Sequence, residues 1–185
     1  RDLVRSRGLG DVYKRQRVVL LEHNSGLYKW RVVYDLEGKI SMELLPYQYR
    51  DISSFKVVVS NEISYPLKSV DRVAFETLKS KVSADEILIV KNGLLTDTSF
   101  SNLVFKKGMD WFTPTTFLLD GVQRQSLLLQ NKIKEIEIGL HNIQDFSHFK
   151  LINAMCDFVT SKEYLVRDIA VSYTHLRAHE TVLDL

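Results

Sequence analysis

The sequence predicts an α+β protein in two parts. Three observations predict it: aromatic and β-branched segments separated by short turns between residues 27 and 60, a strand, Asn-Gly, strand pattern at 86–98, and two short helical segments at 69–81 and 122–130 set among further strands. With 185 residues, 45% hydrophobic and 26% charged, the chain has enough apolar material for one globular unit or two small ones. No apolar run approaches the roughly 18 residues of a membrane span, and no charged, apolar, small-residue leader opens the chain, so no membrane is expected. A single cysteine, Cys156, excludes an internal disulfide framework; it fits a reducing cytoplasm and is expected as a small buried hydrophobe.

The net charge of +2 is unevenly placed. Residues 1–16 carry Arg1, Arg5, Arg7, Lys14 and Arg15 against Asp2 and Asp11, a net +3 that leaves −1 for the rest. That tip has no aromatic interleaving and no helical face, so no nucleic-acid partner is expected. Residues 1–16 and 172–185 show neither a 3.6 nor a 2.0 apolar period, and both resemble translated adaptor sequence; they are set aside as non-native ends. His175 and His179 have the i, i+4 spacing of a helical metal pair but lie in that tail, so no metal is expected.

Taken in order, Leu27 to Tyr34, Ile40 to Leu45 and Phe55 to Ser60 read as three strands of an antiparallel meander, the remainder of an N-terminal α+β domain over 17–64. Pro66 closes the third strand region, and Lys68 sits in a linker before a helix over 69–81 whose apolar stripe is Val70, Val73, Ala74 and Leu78. Glu86 to Val90, Asn92-Gly93 and Leu94-Leu95 form a hairpin, since Asn-Gly accepts positive φ at both turn positions. It runs directly into Thr96-Asp97-Thr98, and Asn102 opens another strand. Trp111 to Thr113 follows, Thr113-Pro114 breaks the sheet, and Gly121 precedes an apolar helix from Val122 to Gln130. Ile133 to Ile138 alternates as a half-buried strand, Leu151-Ile152-Asn153-Ala154-Met155 reads as a buried strand end, and Lys162 to Val171 as a last strand. The second domain thus covers 65–171.

By residue type, the segment from Lys68 to Arg124 supplies an amine that can form an imine, a carboxylate, and exposed backbone N–H groups at a helix start. Pyridoxal phosphate needs those three groups: a lysine, an acid for its ring nitrogen and an anion site for its phosphate. Composition alone would read Lys68 as solvated, Asp97 as a turn or capping aspartate, Gly121 as an ordinary helix-start glycine and Asn153 as a satisfied buried asparagine.

Lys68-Ser-Val-Asp71-Arg72, Asp85 to Asn102, Thr113-Pro114, Gly121-Val-Gln-Arg124 and Leu151-Ile-Asn153-Ala154-Met155 together resemble the fold-type IV pyridoxal phosphate enzymes. These include branched-chain and D-amino-acid aminotransferases and 4-amino-4-deoxychorismate lyase. The resemblance covers roughly residues 25 to 158 and keeps the family's motif order. It implies a two-domain fold, here a truncated antiparallel N-terminal domain plus a C-terminal pseudo-barrel, with the cofactor in a cleft and a homodimer as the assembly. It further implies that Lys68 holds the cofactor and moves the proton between Cα and C4′, work for which burial and nearby cations would favour a neutral amine. Asp97 stands where the family has Glu at the pyridine nitrogen, and Thr98, Gly121, Val122, Gln123, Asn153 and Ala154 match cofactor-binding positions. Asp71 replaces the commoner Asn of the family's Lys-x-x-Asn-Arg pattern. The family's phosphate-clamping arginine lies in a preceding segment that this sequence lacks. Arg31 is the candidate clamp for a substrate carboxylate, with a plain surface arginine as the alternative. The expected function is 4-amino-4-deoxychorismate lyase-like, with a class IV aminotransferase and a non-catalytic fragment of such an enzyme as alternatives.

Overall fold

The computed structural model describes residues 26–171. The adaptor-like ends, His175 and His179 lie outside the described residues. The chain divides into two compact units, 1–50 and 51–185, ahead of the boundary after residue 64 that the strand pattern suggested.

In the first unit the described residues form an antiparallel hairpin, β1 (Tyr28–Tyr34) and β2 (Ile40–Pro46), in register from Tyr28↔Pro46 to Tyr34↔Ile40. Its turn is held by Asp35, whose Oδ1 accepts from the N–H of Glu37 at 3.0 Å and of Lys39 at 2.8 Å, with Gly38 at φ +84°.

The second unit carries β3 (Phe55–Val59), α1 (Val73–Ser80), β4 (Glu86–Lys91), β5 (Leu94–Thr98), β6 (Asn102–Lys107), β7 (Asp110–Pro114), α2 (Val122–Leu129), β8 (Lys134–Ile136), β9 (His148–Ile152), β10 (Tyr164–Leu165) and β11 (Ile169–Ala170). Among the described residues these strands make one sheet in the order β10-β9-β6-β5-β4-β3-β11, with β7 attached to β6 and β8 to β7. β3 runs parallel to both β4 and β11, and β7 parallel to β8; the other pairs are antiparallel. The α+β class is therefore the observed one. The three-stranded meander is not: β3 joins β4 across the α1 crossover rather than β2. Phe55, Val57 and Val58 are all buried, so β3 has apolar demands on both faces, which a central parallel strand meets and a half-solvated meander strand does not.

The same two-sidedness explains the unbroken run Ile87-Leu88-Ile89-Val90. Ile87 and Ile89 pack with Phe75 and Leu78 of α1, with Tyr65 and with Leu118; Leu88 and Val90 face a second core with Phe55, Leu103, Phe105 and Phe149. A third cluster seats Leu127 of α2 on Val104 and Ile152. Both helices thus cover the same face of the sheet. Asp85 fastens the parallel pair: its Oδ2 accepts from the N–H and hydroxyl groups of Ser53 and Ser54 at 2.7–2.9 Å. Those bonds, led by the Ser53 hydroxyl, hold the carboxyl well below the usual range.

Three further expectations change in detail. Helix α1 starts at Val73 rather than 69, because Ser69 Oγ accepts from Asp71 N–H at 3.1 Å and Asp71 Oδ1 from Val73 N–H at 3.0 Å, turns that compete with helix. Its buried side chains are consequently Phe75 and Leu78, while Val70 and Val73 are exposed. The strand at 133–138 shortens to β8, since Ile138 leaves it to accept from Leu95 N–H at 2.7 Å. Residues 164–171 form two short strands around a 3-10 turn at Val166–Asp168, and Cys156 is half-buried.

Candidate active site

The start of α1 and the start of α2 come together on the helix-covered face of the sheet, beside the end of β5. They line a cavity of about 220 Å³ whose walls include Tyr65, Lys68, Arg72, Asp97 to Asn102, Leu119 to Val122, Asn153 and Ala154. All of these belong to the second unit. Lys68 is exposed, on the linker between Pro66 and α1. Behind it, Tyr65 donates its hydroxyl to Ser69 O at 2.5 Å, which fixes the linker.

Asp97 lines the same cavity. It is 5% exposed, and its carboxylate is held by three donors: Asn102 Nδ2 to Oδ1 at 2.7 Å, and the N–H groups of Leu118 and Leu119 to Oδ2 at 2.9 Å each. Burial pushes its pKa up to about 6, against the opposing pull of the Leu119 N–H, the Asn102 amide, the Leu118 N–H and the Arg124 charge. Among these, Asn102 has a second task. Its Nδ2 also donates to Leu119 O at 2.8 Å, and its Oδ1 lies where a side chain on Gly121 would be, so only glycine fits at 121. Gly121 has φ −71° and ψ 140°, open to any residue; the requirement is close approach and not backbone freedom.

Gly121 is the N-cap of α2, and the first intrahelical bond runs from Gln125 N–H to Gly121 O at 3.0 Å. The N–H groups of Val122, Gln123 and Arg124 have no acceptor among the described residues, as helix geometry requires of the first turn. The N–H of Ala154 is in the same state, because the turn at 153–156 is closed by Asn153 Oδ1 accepting from Met155 N–H at 2.7 Å and Cys156 N–H at 2.9 Å. Gly121, Val122 and Ala154 line one cavity, which gives it donors suited to an anion and the positive end of a helix. Arg124 anchors the helix from behind: it is 3% exposed, bonded to Pro114 O at 3.0 Å and paired with Asp120 at 3.1 Å and with Glu135.

Of the residues expected from sequence, Lys68, Asp97, Thr98, Gly121, Val122, Asn153 and Ala154 meet at this cavity. Gln123 does not line it; its Nε2 is directed to Asp157 Oδ2 at 3.4 Å. The Thr98 hydroxyl is occupied by the turn at 98–101, where it accepts from Ser101 N–H at 3.0 Å and bonds Ser101 Oγ at 2.8 Å. Arg31 belongs to the first unit and pairs across the hairpin with Glu43 at 2.9 Å, so the surface-arginine alternative matches its surroundings. Asp71 acts through Oδ1 alone, as an asparagine would, which explains how it stands in the Lys-x-x-Asn-Arg pattern.

Residues that sequence reasoning passed over as site members are Tyr65, Arg72, Ser99 and Asn102. Arg72 and Asn102 were visible as ends of motifs; Tyr65 and Ser99 carry no local signal. Ser99 is positioned by Glu86, a fully buried strand residue whose Oε1 accepts from the N–H of Ser99 at 2.9 Å and of Ile87 at 3.0 Å, with Lys79 Nζ 3.5 Å from Oε2.

Comparison with known proteins identifies a family. Residues 42–164 match the model of the amino-transferase class IV family. An uncharacterized protein of Haemophilus influenzae is 41% identical over 130 residues, 70% of this chain and 69% of that protein. A solved structure named as a candidate 4-amino-4-deoxychorismate lyase, from Haemophilus somnus 129PT, is 36% identical and covers 80% of this chain and 75% of its own, with TM-score 0.72. A candidate amino-acid aminotransferase from Mesorhizobium loti, 14% identical, shares the fold with TM-score 0.63 over 82% of this chain and 76% of its own. With a buried acid, a lysine and a helix start around one cavity, and with the family model matched over residues 42–164, the chain belongs to the class IV aminotransferases, a family of pyridoxal-phosphate-dependent enzymes.

Proposed function

We propose that this chain binds pyridoxal 5′-phosphate in the cavity and acts at Cα of an amino-acid substrate in the manner of a 4-amino-4-deoxychorismate lyase, releasing 4-aminobenzoate and pyruvate. The observation that carries the reading is the single cavity lined by Lys68, the buried Asp97 carboxyl and the first turn of α2. The donor set fits the cofactor. The N–H groups of Val122 and Ala154 and the positive end of α2 suit its phosphate, and Asp97 suits its ring nitrogen. Bound there, pyridoxal phosphate supplies an electron sink for bond cleavage at Cα.

The chain's own residues then have distinct tasks. Lys68 Nζ takes and returns the substrate Cα proton from the rim of the cavity. Asp97, with a pKa of about 6, is mostly ionised at neutral pH, and its Oδ1 accepts one bond from Asn102, leaving a second acceptor position for a ring N–H. Asn102 keeps the acid and the 118–121 loop in fixed relation. The lyase reading is supported by the 36% identity to the Haemophilus somnus protein. Amino transfer to a 2-oxo acid is the second reading, favoured by the family match, since the residues named serve both reactions. The reading includes a cytoplasmic homodimer that supplies 4-aminobenzoate for folate synthesis.

The test is a visible spectrum of the purified chain with pyridoxal phosphate beside Lys68→Ala. A band that needs Lys68, and a borohydride-fixed mass increment on the peptide bearing it, are expected. Pyruvate release from aminodeoxychorismate without a 2-oxo acid acceptor then separates lyase from transaminase. No Lys68-dependent band or mass increment overturns the reading.

A further inference from the structure

The cavity holds a second cation whose role the cofactor reading does not absorb. Arg72 is half-buried at the N-cap of α1 and lines the cavity, with its guanidinium carbon 4.2 Å from the Phe75 ring centre and 5.1 Å from that of Tyr65. Its Nη2 donates to Ser99 O, and Ser99 is in turn held by the buried Glu86. Two aromatic rings and a carbonyl therefore fix the guanidinium plane, a rigid arrangement in which little side-chain freedom remains to be lost on binding.

Among the described residues one of its five N–H donors is used, and no carboxylate pairs with it. An arginine fork that is held in place, faces a cavity and lacks an acid is matched by a planar or tetrahedral oxyanion. We infer that Arg72 is a further oxyanion-binding residue of this cavity, additional to the first turn of α2, taking a carboxylate or phosphate of the bound molecule. This inference rests on the proposed function for the identity of that molecule and on the geometry alone for the anion site. The carboxylate of a substrate and the phosphate of the cofactor share the required chemistry. Because the first turn of α2 already offers phosphate donors, the two sources are separable by experiment.

The experiment is calorimetric binding to the full chain and to Arg72→Gln and Arg72→Lys, with folding checked by circular dichroism. One pair of probes is pyridoxal 5′-phosphate and pyridoxal. The other is 4-aminobenzoate and 4-aminobenzamide, added to protein saturated with pyridoxal phosphate. The inference expects Arg72→Gln to weaken the anionic member of one pair by about 10- to 100-fold, the loss of a charge-assisted bidentate contact, while its neutral member is unchanged. Arg72→Lys, which keeps charge but not the fork, should fall between. Loss in the phosphate pair assigns Arg72 to the cofactor, and loss in the benzoate pair assigns it to substrate. Equal losses for anionic and neutral members would mark a packing residue and overturn the inference, as would unchanged binding of both anions. Should the parent chain show no Lys68-dependent band, the proposed function fails by itself. Inorganic phosphate then decides the anion site: binding weakened by Arg72→Gln upholds it, and binding that is unaffected or absent overturns it.

Discussion

Asp97 makes stability depend on pH in the direction opposite to most carboxylates. Its pKa rises from 3.8 to about 6 on folding because the carboxyl is buried beside β5. The folded state therefore holds the proton more tightly than the unfolded chain. The stabilisation is complete below pH 3.8 and is lost as pH rises through 6. A shift of about 2 units corresponds to about 3 kcal/mol, of which roughly 2 kcal/mol disappears between pH 4 and pH 7. Other groups titrate over the same range, so the quantity to measure is the difference between the parent and Asp97→Asn, from urea unfolding of the cofactor-free chains at half-unit steps. That difference should fall by about 2 kcal/mol, in favour of the variant, from pH 4 to 7. A difference independent of pH would mean that Asp97 titrates as an ordinary exposed carboxylate. A difference that rises with pH would mean that its three hydrogen bonds outweigh burial. Either result refutes the electrostatic account of the site.

Gly121→Ala tests the close approach to Asn102: although φ −71° suits alanine, the new methyl must displace an amide that bonds both Asp97 and Leu119, and a loss of about 2 kcal/mol by thermal unfolding is expected. Glu86→Ala strips the N–H groups of Ser99 and Ile87 of their acceptor inside the sheet, and should cost about 3 kcal/mol by urea denaturation while loosening the turn that orients Arg72. Phe75→Ala removes the ring that packs on Tyr65 at 4.9 Å and carries Arg72, with an expected cost of about 3 to 4 kcal/mol. Asp85→Asn should lower stability at neutral pH, and the parent should lose the same advantage in strong acid, because the native state depresses that carboxyl.

Local chemistry was enough to point to much of the cavity lining. Asn92-Gly93 formed the expected turn with φ +52° and +81°, and α2 begins at Val122 after Gly121, because both features depend on neighbouring residues alone. The motifs around Lys68, Asp97, Gly121 and Asn153 could likewise be read in order. What the linear pattern could not supply was partnership at long range. The apolar segment at 55–59 reads equally as an edge or a central strand, and only its burial on both faces puts it beside β4. The α1 stripe moved to Phe75 and Leu78 because Ser69 and Asp71 side chains delay the helix. Glu86 is a strand residue whose full burial no local pattern signals; the turn at Ser99 returns to meet it. Arg72 gained its surroundings in a similar way, from the Ser99 carbonyl and the rings of Tyr65 and Phe75. Side-chain type and spacing determine which turns and helices form; tertiary packing determines which polar groups are desolvated, and that desolvation is what makes Asp97 chemically distinct.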